Sequence, residues 1–213
     1  DPFPFVGDAV ITGSLTISGS QALIMDDENV VLGQNAGGGG IGSGEDGNVI
    51  IGKDAAGAGT LANGDDNVVI GHSAGKALTS AVANVIIGNE AGQGLLAGDH
   101  NVLIGQNAGD SIQNTHWNVC VGYQAGETMT AGNSNTLIGH FAGNAGYGDN
   151  VVGVGKYASR WVIGGDVGVG HEALAKSSGG GNTGVGYYAV RGGASGYTVE
   201  AASINNTGIG YSA

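Results

Sequence analysis

The sequence is poor in several residue types on which common protein classes depend. Of its 213 residues, one is cysteine, two are proline and six are lysine or arginine, and aromatic residues make up 6%. A single cysteine, Cys120, cannot form a disulfide framework within the chain. No run of about 18 apolar residues occurs, so the sequence predicts no membrane insertion. The scarcity of cations, together with a net charge of −12, argues against nucleic acid or an anionic membrane as a partner.

Glycine and aliphatic residues are abundant instead. The chain contains 46 glycines, and 41% of its residues are hydrophobic. Glycine without a three-residue period, and with so little proline, excludes a collagen helix. The aliphatic content argues against a disordered chain. The composition therefore favours many short strands joined by glycine-rich turns.

A repeated segment accounts for most of the chain, and Asn101–Gly109 (NVLIGQNAG) is a representative copy. We number each copy from the glycine that follows its apolar triplet, which is position 0, and name each coil by that glycine. Position +3 is alanine in every copy. The successive copies have position 0 at Gly33, Gly52, Gly71, Gly88, Gly105, Gly122, Gly139, Gly155, Gly170, Gly186 and Gly210.

The repeat predicts an all-β fold, a parallel β-solenoid of about eleven coils. The triplets are rich in β-branched residues and end at glycine, which favours strands over helices. Units of 15–19 residues, with one longer step before Gly210, are typical of one solenoid coil, and such coils stack about 4.8 Å apart. We assign residues 23–213 to this repeat domain. Residues 1–22 are predicted to form an N-terminal β-strand cap or a linking segment.

Alternation of side chains along each strand predicts two faces. We place positions −3 and −1 inside the coil and positions −2 and 0 outside it. An outward row of large apolar residues would favour aggregation unless it were covered, so position −2 is predicted to contact other copies of the chain. The alternative is a coil that buries both faces with its own loops. The predicted interface residues are Val31, Ile50, Val69, Ile86, Leu103, Cys120, Leu137, Gly153, Gly168, Gly184 and Gly208.

Position −4 is asparagine in nine copies. Recurrence at this frequency is typical of turn chemistry or of a stacked amide ladder rather than of an active site. Acidic residues precede several of these asparagines, as in Asp65-Asp66 and Asp149. We interpret them as solvated turn residues. Calcium binding by stacked carboxylates is the alternative.

The motif Asn-Val-h-Ile-Gly-x-x-Ala, where h is an apolar residue, and its later form Asn182–Ala189 (NTGVGYYA) resemble the head repeats of trimeric autotransporter adhesins. They are even more similar to repeats of bacteriophage tail fibres and tailspikes. The resemblance covers about residues 29–213. It implies a left-handed β-roll assembled as a homotrimer and located outside the cell on a virion tail fibre. The implied function is attachment to a cell-surface glycan or protein receptor. A bacterial surface adhesin head is one alternative, and a polysaccharide depolymerase is an alternative of the enzyme class.

The sequence predicts no catalytic residues, no metal site and no cofactor. Four copies match the pattern G-x-G-x-x-A, but a dinucleotide site needs a helix after that turn. His72 and His140 share position +1 but lie four coils apart, too far for one metal ion. Exposed aromatic rings suit sugar stacking or protein contacts. The candidate receptor-binding residues are Tyr123, Tyr147, Trp161, Tyr187, Tyr188 and Tyr197.

Overall fold

The computed structural model describes residues 21–25, 29–38, 46–58, 61–145, 148–176, 180–191 and 204–213. These residues form one sheet of twelve strands that follow each other in chain order. All pairings from β2 to β12 are parallel and in register. The described part contains no helix, and so none that could cross a membrane. The predicted all-β parallel solenoid is confirmed.

Each coil contributes one short strand, and most strands are three residues long. The strands are β1 (Gln21–Met25), β2 (Val30–Gln34), β3 (Val49–Ile51), β4 (Val68–Ile70), β5 (Val85–Ile87), β6 (Val102–Ile104), β7 (Val119–Val121), β8 (Thr136–Ile138), β9 (Val152–Val154), β10 (Val167–Val169), β11 (Thr183–Val185) and β12 (Thr207–Ile209).

The first strand differs from the others in direction. β1 pairs antiparallel with β2, with Gln21 opposite Gln34 and Met25 opposite Val30. It therefore crosses the boundary that the sequence predicts after residue 22. Because β1 occupies the free side of β2, it protects that edge from further strand pairing. Residues 1–20 of the predicted N-terminal segment lie outside the described residues.

The glycine at position 0 allows neighbouring coils to approach closely. Gly105 has a φ of +129°, and a Cβ built on it would lie 2.5 Å from the carbonyl oxygen of Gly122 in the next coil. A side chain at this position would be strained by the backbone conformation and would also collide with backbone. The recurrence of glycine is thus explained by stacking within one chain.

The structure reverses the predicted assignment of inside and outside. Within a single chain, Val31, Ile86, Leu103 and Cys120 are 0% exposed, whereas the residues at −3 and −1 are only half-buried in most strands. The prediction that position −2 faces other chains is therefore wrong. Its residues lie in the interior of the coil: Val31, Ile50, Val69, Ile86, Leu103, Cys120, Leu137, Gly153, Gly168 and Gly184 are buried, and Gly208 is half-buried.

Residues outside the strands, at positions +3 and +7, complete the core of each coil. The alanines at +3 are buried in every coil except the last, where Ala213 is exposed. A further apolar residue at +7 points inward in five coils. Alternation of side chains defines the two faces of a strand but does not show which face is enclosed. The residues at +3 and +7 fill so much of the interior that only the side chain at −2 of each strand fits inside. The core residues at +7 are Leu78, Leu95, Ile112, Met129 and Val162.

The change from large residues to glycine at −2 is compensated within the same coil. In the earlier coils, +4 is glycine or alanine, and a Cβ on Gly109 would lie 2.8 Å from the side chain of Leu103. From Gly153 onwards +4 carries a side chain: Leu174 and Ser159 are buried. A Cβ on Gly153 would lie 3.1 Å from Cβ of Ser159, which belongs to the same coil. The glycines at −2 therefore make room for the +4 side chain rather than for another chain.

The asparagines at −4 form a buried amide ladder, as the sequence predicts. Asn101 donates from Nδ2 to Oδ1 of Asn84 at 3.1 Å and to the carbonyl of Thr115 at 2.8 Å. Its own Oδ1 accepts from the backbone N and from Nδ2 of Asn118, at 3.0 and 3.2 Å. These side chains are fully buried. Each one therefore satisfies polar groups that would otherwise be buried without partners.

A second ladder runs along position −6, on the outer side of the turn. The carboxylate of Asp65 accepts from the backbone N of Asp46 at 3.1 Å, and Asp99 accepts from Val82 at 2.9 Å. Asp149 accepts from Asn133 at 2.7 Å. The acidic residues that the sequence assigned to solvated turns thus also join successive coils. Charged acceptors make such bonds stronger than neutral ones.

The amide ladder is interrupted at Asp166, where a carboxyl group takes the asparagine position. Oδ1 of Asp166 accepts from the backbone N of Asn182 at 2.7 Å. Oδ2 is buried and has no hydrogen-bond partner among the described residues. The preceding coil has Val151 at this position and so offers no amide. Burial raises the pKa of Asp166, and the hydrogen bonds from Asn182 act in the opposite direction.

The substitution Asp166→Asn is expected to stabilise the fold at neutral pH by about 1–2 kcal/mol, because it replaces a buried carboxylate with a neutral amide whose Oδ1 can still accept from Asn182. The folded-state pKa of Asp166 is raised, so its contribution to stability is fully present below the ordinary pKa of 3.8 and is lost as the pH rises through the raised value. The gap in melting temperature between variant and wild type should therefore widen with rising pH. Asp149→Asn, at an exposed carboxyl group, is the control. Equal gains from both variants would contradict the explanation.

Candidate functional site

Aromatic and imidazole rings form a continuous column over the last coils. They occupy positions +1 and +2, directly after the glycine that ends each strand, so stacking of the coils places them one above another. Tyr123 stacks on His140 at a centroid distance of 5.2 Å, and Phe141 stacks on Tyr157 at 5.2 Å. The aromatic column consists of Tyr123, His140, Phe141, Tyr157, His171, Tyr187, Tyr188 and Tyr211.

Part of this column is freely accessible. Tyr187 stacks on His171 at 4.7 Å and on Tyr211 at 5.3 Å, and the planes of the two tyrosines differ by only 1°. Tyr123 is 41% exposed, Tyr187 42% and Tyr211 77%. Because these rings stack on one another, their faces are largely covered, and the exposed part is a row of ring edges that carry hydroxyl groups.

Bulky rings at position +2 are held in an unfavourable backbone conformation. Position +2 has a positive φ in every coil, for example 56° at Asn107 and 59° at Tyr157. Asparagine tolerates this left-handed region, whereas bulky residues adopt it at a cost of about 1–3 kcal/mol. The earlier coils have small or polar residues here, and aromatic residues appear at Phe141, Tyr157 and Tyr188. This pattern indicates that the rings serve a purpose other than turn formation.

Cations lie against the aromatic column. The guanidinium carbon of Arg160 is 4.1 Å from the ring centroid of Trp161, 5.1 Å from that of Tyr157 and 5.7 Å from that of Phe141. Lys156 lies over Tyr157 and Lys176 over Trp161, at 5.2 and 5.8 Å. We call these six residues the Arg160 cluster. Such contacts between cations and ring faces stabilise the cation in a defined place.

The column ends near a further cation that is already paired. The Arg191 guanidinium lies 4.6 Å from the ring centroid of Tyr188 and 2.9 Å from Oε2 of Glu172. Within the described residues, Lys156, Arg160 and Lys176 take part in no ion pair. Nε of Arg160 is buried and has no hydrogen-bond partner. The Arg160 cluster therefore carries positive charge that no ion pair with the described residues neutralises.

The surface before the Arg160 cluster has the opposite charge. Burial, followed by the nearby Glu127 and Glu90 carboxylates, raises the pKa of Asp110. Nδ2 of Asn144 donates to Oε2 of Glu127 at 2.8 Å. Position +5 thus changes from Asp110 and Glu127 to Arg160 as the coils proceed along the chain. The same side of the solenoid is acidic in the middle coils and cationic in the later ones.

The structure brings four of the six predicted binding residues into this region. Tyr123, Tyr187 and Tyr188 belong to the aromatic column, and Trp161 is half-buried beneath Arg160. The other two predicted residues, Tyr147 and Tyr197, lie outside the described residues. Sequence reasoning missed the histidines and cations that contact the rings. Reading positions +1, +2 and +5 as columns down the coils would have found His140, His171 and Arg160.

A smaller aromatic group lies on the other side of the coil. Trp117 is 60% exposed and contacts the rings of His116 and His100, with centroid distances of 5.5 and 6.3 Å. Nδ1 of His116 accepts from the backbone N of Asp99 at 3.0 Å. His116 therefore accepts a backbone hydrogen bond at position −6, as the carboxylates of Asp65, Asp99 and Asp149 do in other coils.

The thiol of Cys120 and the carboxylates of Glu172 and Glu90 have structural roles. Cys120 is buried among core residues, and burial raises the pKa of its thiol to about 12. Glu172 pairs with Arg191, and Oε2 of Glu90 accepts from Asn107 at 3.3 Å. Within the described part of the chain, no group of three or more His, Cys, Asp or Glu side chains is placed to hold a metal ion.

The outward face of the sheet is a second candidate surface. Positions −3 and −1 present two rows of mostly β-branched side chains along eleven parallel strands. Leu32 is 48% exposed, Ile138 39% and Ile209 74%. The face consists of Val30, Leu32, Val49, Ile51, Val68, Ile70, Val85, Ile87, Val102, Ile104, Val119, Val121, Thr136, Ile138, Val152, Val154, Val167, Val169, Thr183, Val185, Thr207 and Ile209.

No protein-family model, curated protein or solved structure matches this chain. Its function is therefore inferred from its own surfaces. The two surfaces that need an explanation are the apolar sheet face and the aromatic column with the Arg160 cluster. The first suits contact between chains, and the second suits a ligand in solution or on a cell.

Proposed function

We propose that the chain is the repeat segment of a homotrimeric attachment fibre, with its sheet face packed against two further copies. The observation that carries this proposal is the sheet face itself, which exposes apolar residues at two positions per coil along the whole column of strands. Large contiguous apolar surfaces of this kind are typical of interfaces. A second copy offers a matching face with the same repeat, so a symmetric assembly covers the face along its full length.

The proposed assembly is the homotrimer expected from the sequence, but its interface is formed by positions −3 and −1 instead of −2. Three copies around one axis would bring positions −3 and −1 together and leave the turns at +1 and +2 towards the outside. The coil is expected to be left-handed, as the similarity to fibre repeats implies. The fibre would be part of a virion tail outside the cell, and a bacterial surface adhesin is the alternative source of the same assembly.

The proposed role in attachment is supported by the second surface. The aromatic column offers exposed rings on successive coils, with Tyr187 and Tyr211 parallel to each other. Aromatic and arginine side chains are enriched among residues that dominate binding energies. A depolymerase would need free paired carboxylates, whereas Glu90 accepts a hydrogen bond from Asn107 and Glu172 pairs with Arg191. Receptor binding without catalysis is therefore the function that we favour.

The interface is tested by placing charge on the sheet face. Ile87 and Ile104 are direct neighbours in the sheet, and the double substitution Ile87→Glu, Ile104→Glu is expected to convert a trimer into a monomer in sedimentation equilibrium. Carboxylates buried in an interface without partners cost several kcal/mol. The monomer should keep its β circular dichroism, because these side chains lie outside the core.

The control adds the same charge to the same two coils at exposed position +1. Asn89→Glu with Gln106→Glu should leave the mass of the assembly unchanged, since both residues lie on the solvent side of the turn. A wild-type chain that sediments as a monomer would contradict the proposal. A trimer that survives charges on the sheet face would contradict the assigned interface.

A further inference from the structure

We propose that the Arg160 cluster and the aromatic column beside it bind a carboxylated polysaccharide. In this arrangement the Arg160 guanidinium receives the sugar carboxylate and Lys156 and Lys176 flank it. The exposed edges of the tyrosine rings, with their hydroxyl groups, contact the neighbouring sugars. The inference rests on the proposed attachment function, because it names the chemical class of the receptor. It specifies that the receptor is negatively charged and where on the solenoid it binds, which the attachment function alone does not.

The distribution of cations is the first observation. The chain has six lysines and arginines against eighteen acidic residues, and four of the six cations lie between Lys156 and Arg191. Arg191 is paired with Glu172, whereas the three cations of the Arg160 cluster form no ion pair within the described residues. In a chain with so many carboxylates, this leaves a local excess of positive charge. An anionic ligand is the complementary partner.

The geometry of Arg160 is the second observation. Three aromatic rings within 5.7 Å of the guanidinium carbon fix the place of this side chain. Because a guanidinium stacked on rings keeps its N–H groups at the edges, it can still donate two parallel hydrogen bonds to a carboxylate. A fixed side chain also loses little conformational entropy on binding. Nε of Arg160 is buried and has no partner among the described residues, so a ligand carboxylate would be bound by the terminal Nη groups.

The exposed rings favour a sugar over a simple anion. A phosphate or an isolated carboxylate needs the cations but has no use for Tyr187 and Tyr211, whose parallel rings are 42% and 77% exposed. The faces of Tyr187 are covered by His171 and Tyr211, but the exposed ring edges carry hydroxyl groups that can exchange hydrogen bonds with sugar hydroxyls. Single-stranded nucleic acid needs free ring faces on which its bases stack and a long positive groove. Here the ring faces are covered, and the positive charge is confined to the Arg160 cluster.

The acidic coils limit where such a ligand can lie. Glu90, Asp110 and Glu127 occupy the same side of the solenoid in earlier coils. They repel a polyanion, so its contact region should begin near the Gly139 coil and extend towards Gly210. This direction places the ligand along the aromatic column. Several sugars would then contact several coils at once.

The proposal is tested with defined oligosaccharides and the full chain in isothermal titration calorimetry. The acidic probes are hexamers of galacturonate, of hyaluronan and of α-2,8-linked sialate, and maltohexaose is the neutral probe. At least one acidic hexamer should bind, and maltohexaose should bind at least about tenfold more weakly. Arg160→Gln should lower the affinity for that hexamer about tenfold or more, as expected from loss of a charge-assisted hydrogen bond. Arg160→Lys, which keeps the charge but not the planar fork, should give an intermediate loss.

Lys156→Gln and Lys53→Gln form the matched pair of controls. Both lysines occupy position +1 and both are exposed, but Lys53 lies in the Gly52 coil, far from the aromatic column. Lys156→Gln should lower the affinity several-fold, and Lys53→Gln should leave it unchanged. Because both side chains are on the surface, neither substitution is expected to disturb folding.

Three results would overturn the proposal. The first is that none of the acidic hexamers binds, and the second is that maltohexaose binds equally well. The third is that Lys53→Gln weakens binding as much as Lys156→Gln, which would mean that only the overall charge matters. A trimer in sedimentation equilibrium that binds none of the acidic probes would leave the fibre assignment standing and remove only the acidic ligand. A wild-type chain that is monomeric and still binds them would contradict the proposed fibre but support the proposed acidic ligand.

Discussion

Gly105→Ala is expected to lower the stability of the chain by about 3 kcal/mol or more, through strain and overpacking together. The backbone at Gly105 has a φ of +129°, which an L side chain rarely adopts, and the added methyl group would lie 2.5 Å from the carbonyl oxygen of Gly122. The colliding atom belongs to the backbone of the next coil and cannot rotate away. The loss should appear as a lower melting temperature in circular dichroism.

The chain offers a matched control for this substitution. Gly210 has almost the same backbone conformation, with a φ of +130°, but the nearest atom to a Cβ there is 3.9 Å away in Ala213. Gly210→Ala therefore introduces the conformational strain without the collision, and it should cost about 1–3 kcal/mol at most. Equal losses from the two variants would show that the stacking of glycines contributes nothing beyond local conformation.

Asn101→Ala is expected to cost about 3–4 kcal/mol, since it leaves buried polar groups without partners. The side chain takes part in four hydrogen bonds, with Asn84, Thr115 and two atoms of Asn118. The exposed fraction of Asn101 is 0%, so water cannot replace these bonds without opening the coil. Chemical denaturation of the variant, followed by circular dichroism, measures the loss.

The comparison variant is Asn89→Ala. Asn89 lies in a neighbouring coil, is exposed, and contacts only Nδ1 of His72 through its amide, at 3.0 Å. Its loss should change the free energy of unfolding by less than about 0.5 kcal/mol. If Asn101→Ala were equally mild, the amide ladder would be a consequence of coil stacking and not one of its causes.

The periodic part of the fold could be predicted from the sequence because stacking imposes the same residue on every coil. The glycine at 0, the alanine at +3 and the asparagine at −4 each have one steric or hydrogen-bonding role, and the structure confirms their alignment in successive strands. The amide ladder was one of two interpretations of the recurring asparagine, the other being turn chemistry, and the hydrogen bonds between successive asparagines support the ladder.

The orientation of the strands could not be obtained in this way. Alternation treats Leu103 and Ile104 as opposite faces but does not say which face is enclosed. The answer depends on Ile112 and its equivalents at +7, which lie in turns and not in strands. Their recurrence at equal intervals was visible in the sequence. It had no obvious meaning without the path of the turn, which passes through left-handed conformations at residues such as Asn107.

The candidate site was predicted in part for a related reason. Tyr123 and Tyr187 were recognisable as surface rings because they follow the strand-ending glycine. Arg160 was not, because its importance comes from its position over Trp161 and Tyr157. That arrangement brings together residues of one turn and depends on a path that the repeat alone does not define.

The exchange of volume between positions −2 and +4 has a consequence for how this chain can change in evolution. Coils with a large residue at −2, such as the Gly105 coil, and coils with a large residue at +4, such as the Gly170 coil, fill the same interior from opposite walls. Duplication or deletion of a whole coil within either block keeps the filling uniform. Recombination within a coil, between a coil of one block and a coil of the other, would instead place two large residues or two small ones at −2 and +4. The result would be overpacking or a void. Insertion or deletion of complete coils is therefore the change that this repeat tolerates best, and solenoids of different length can arise from each block separately.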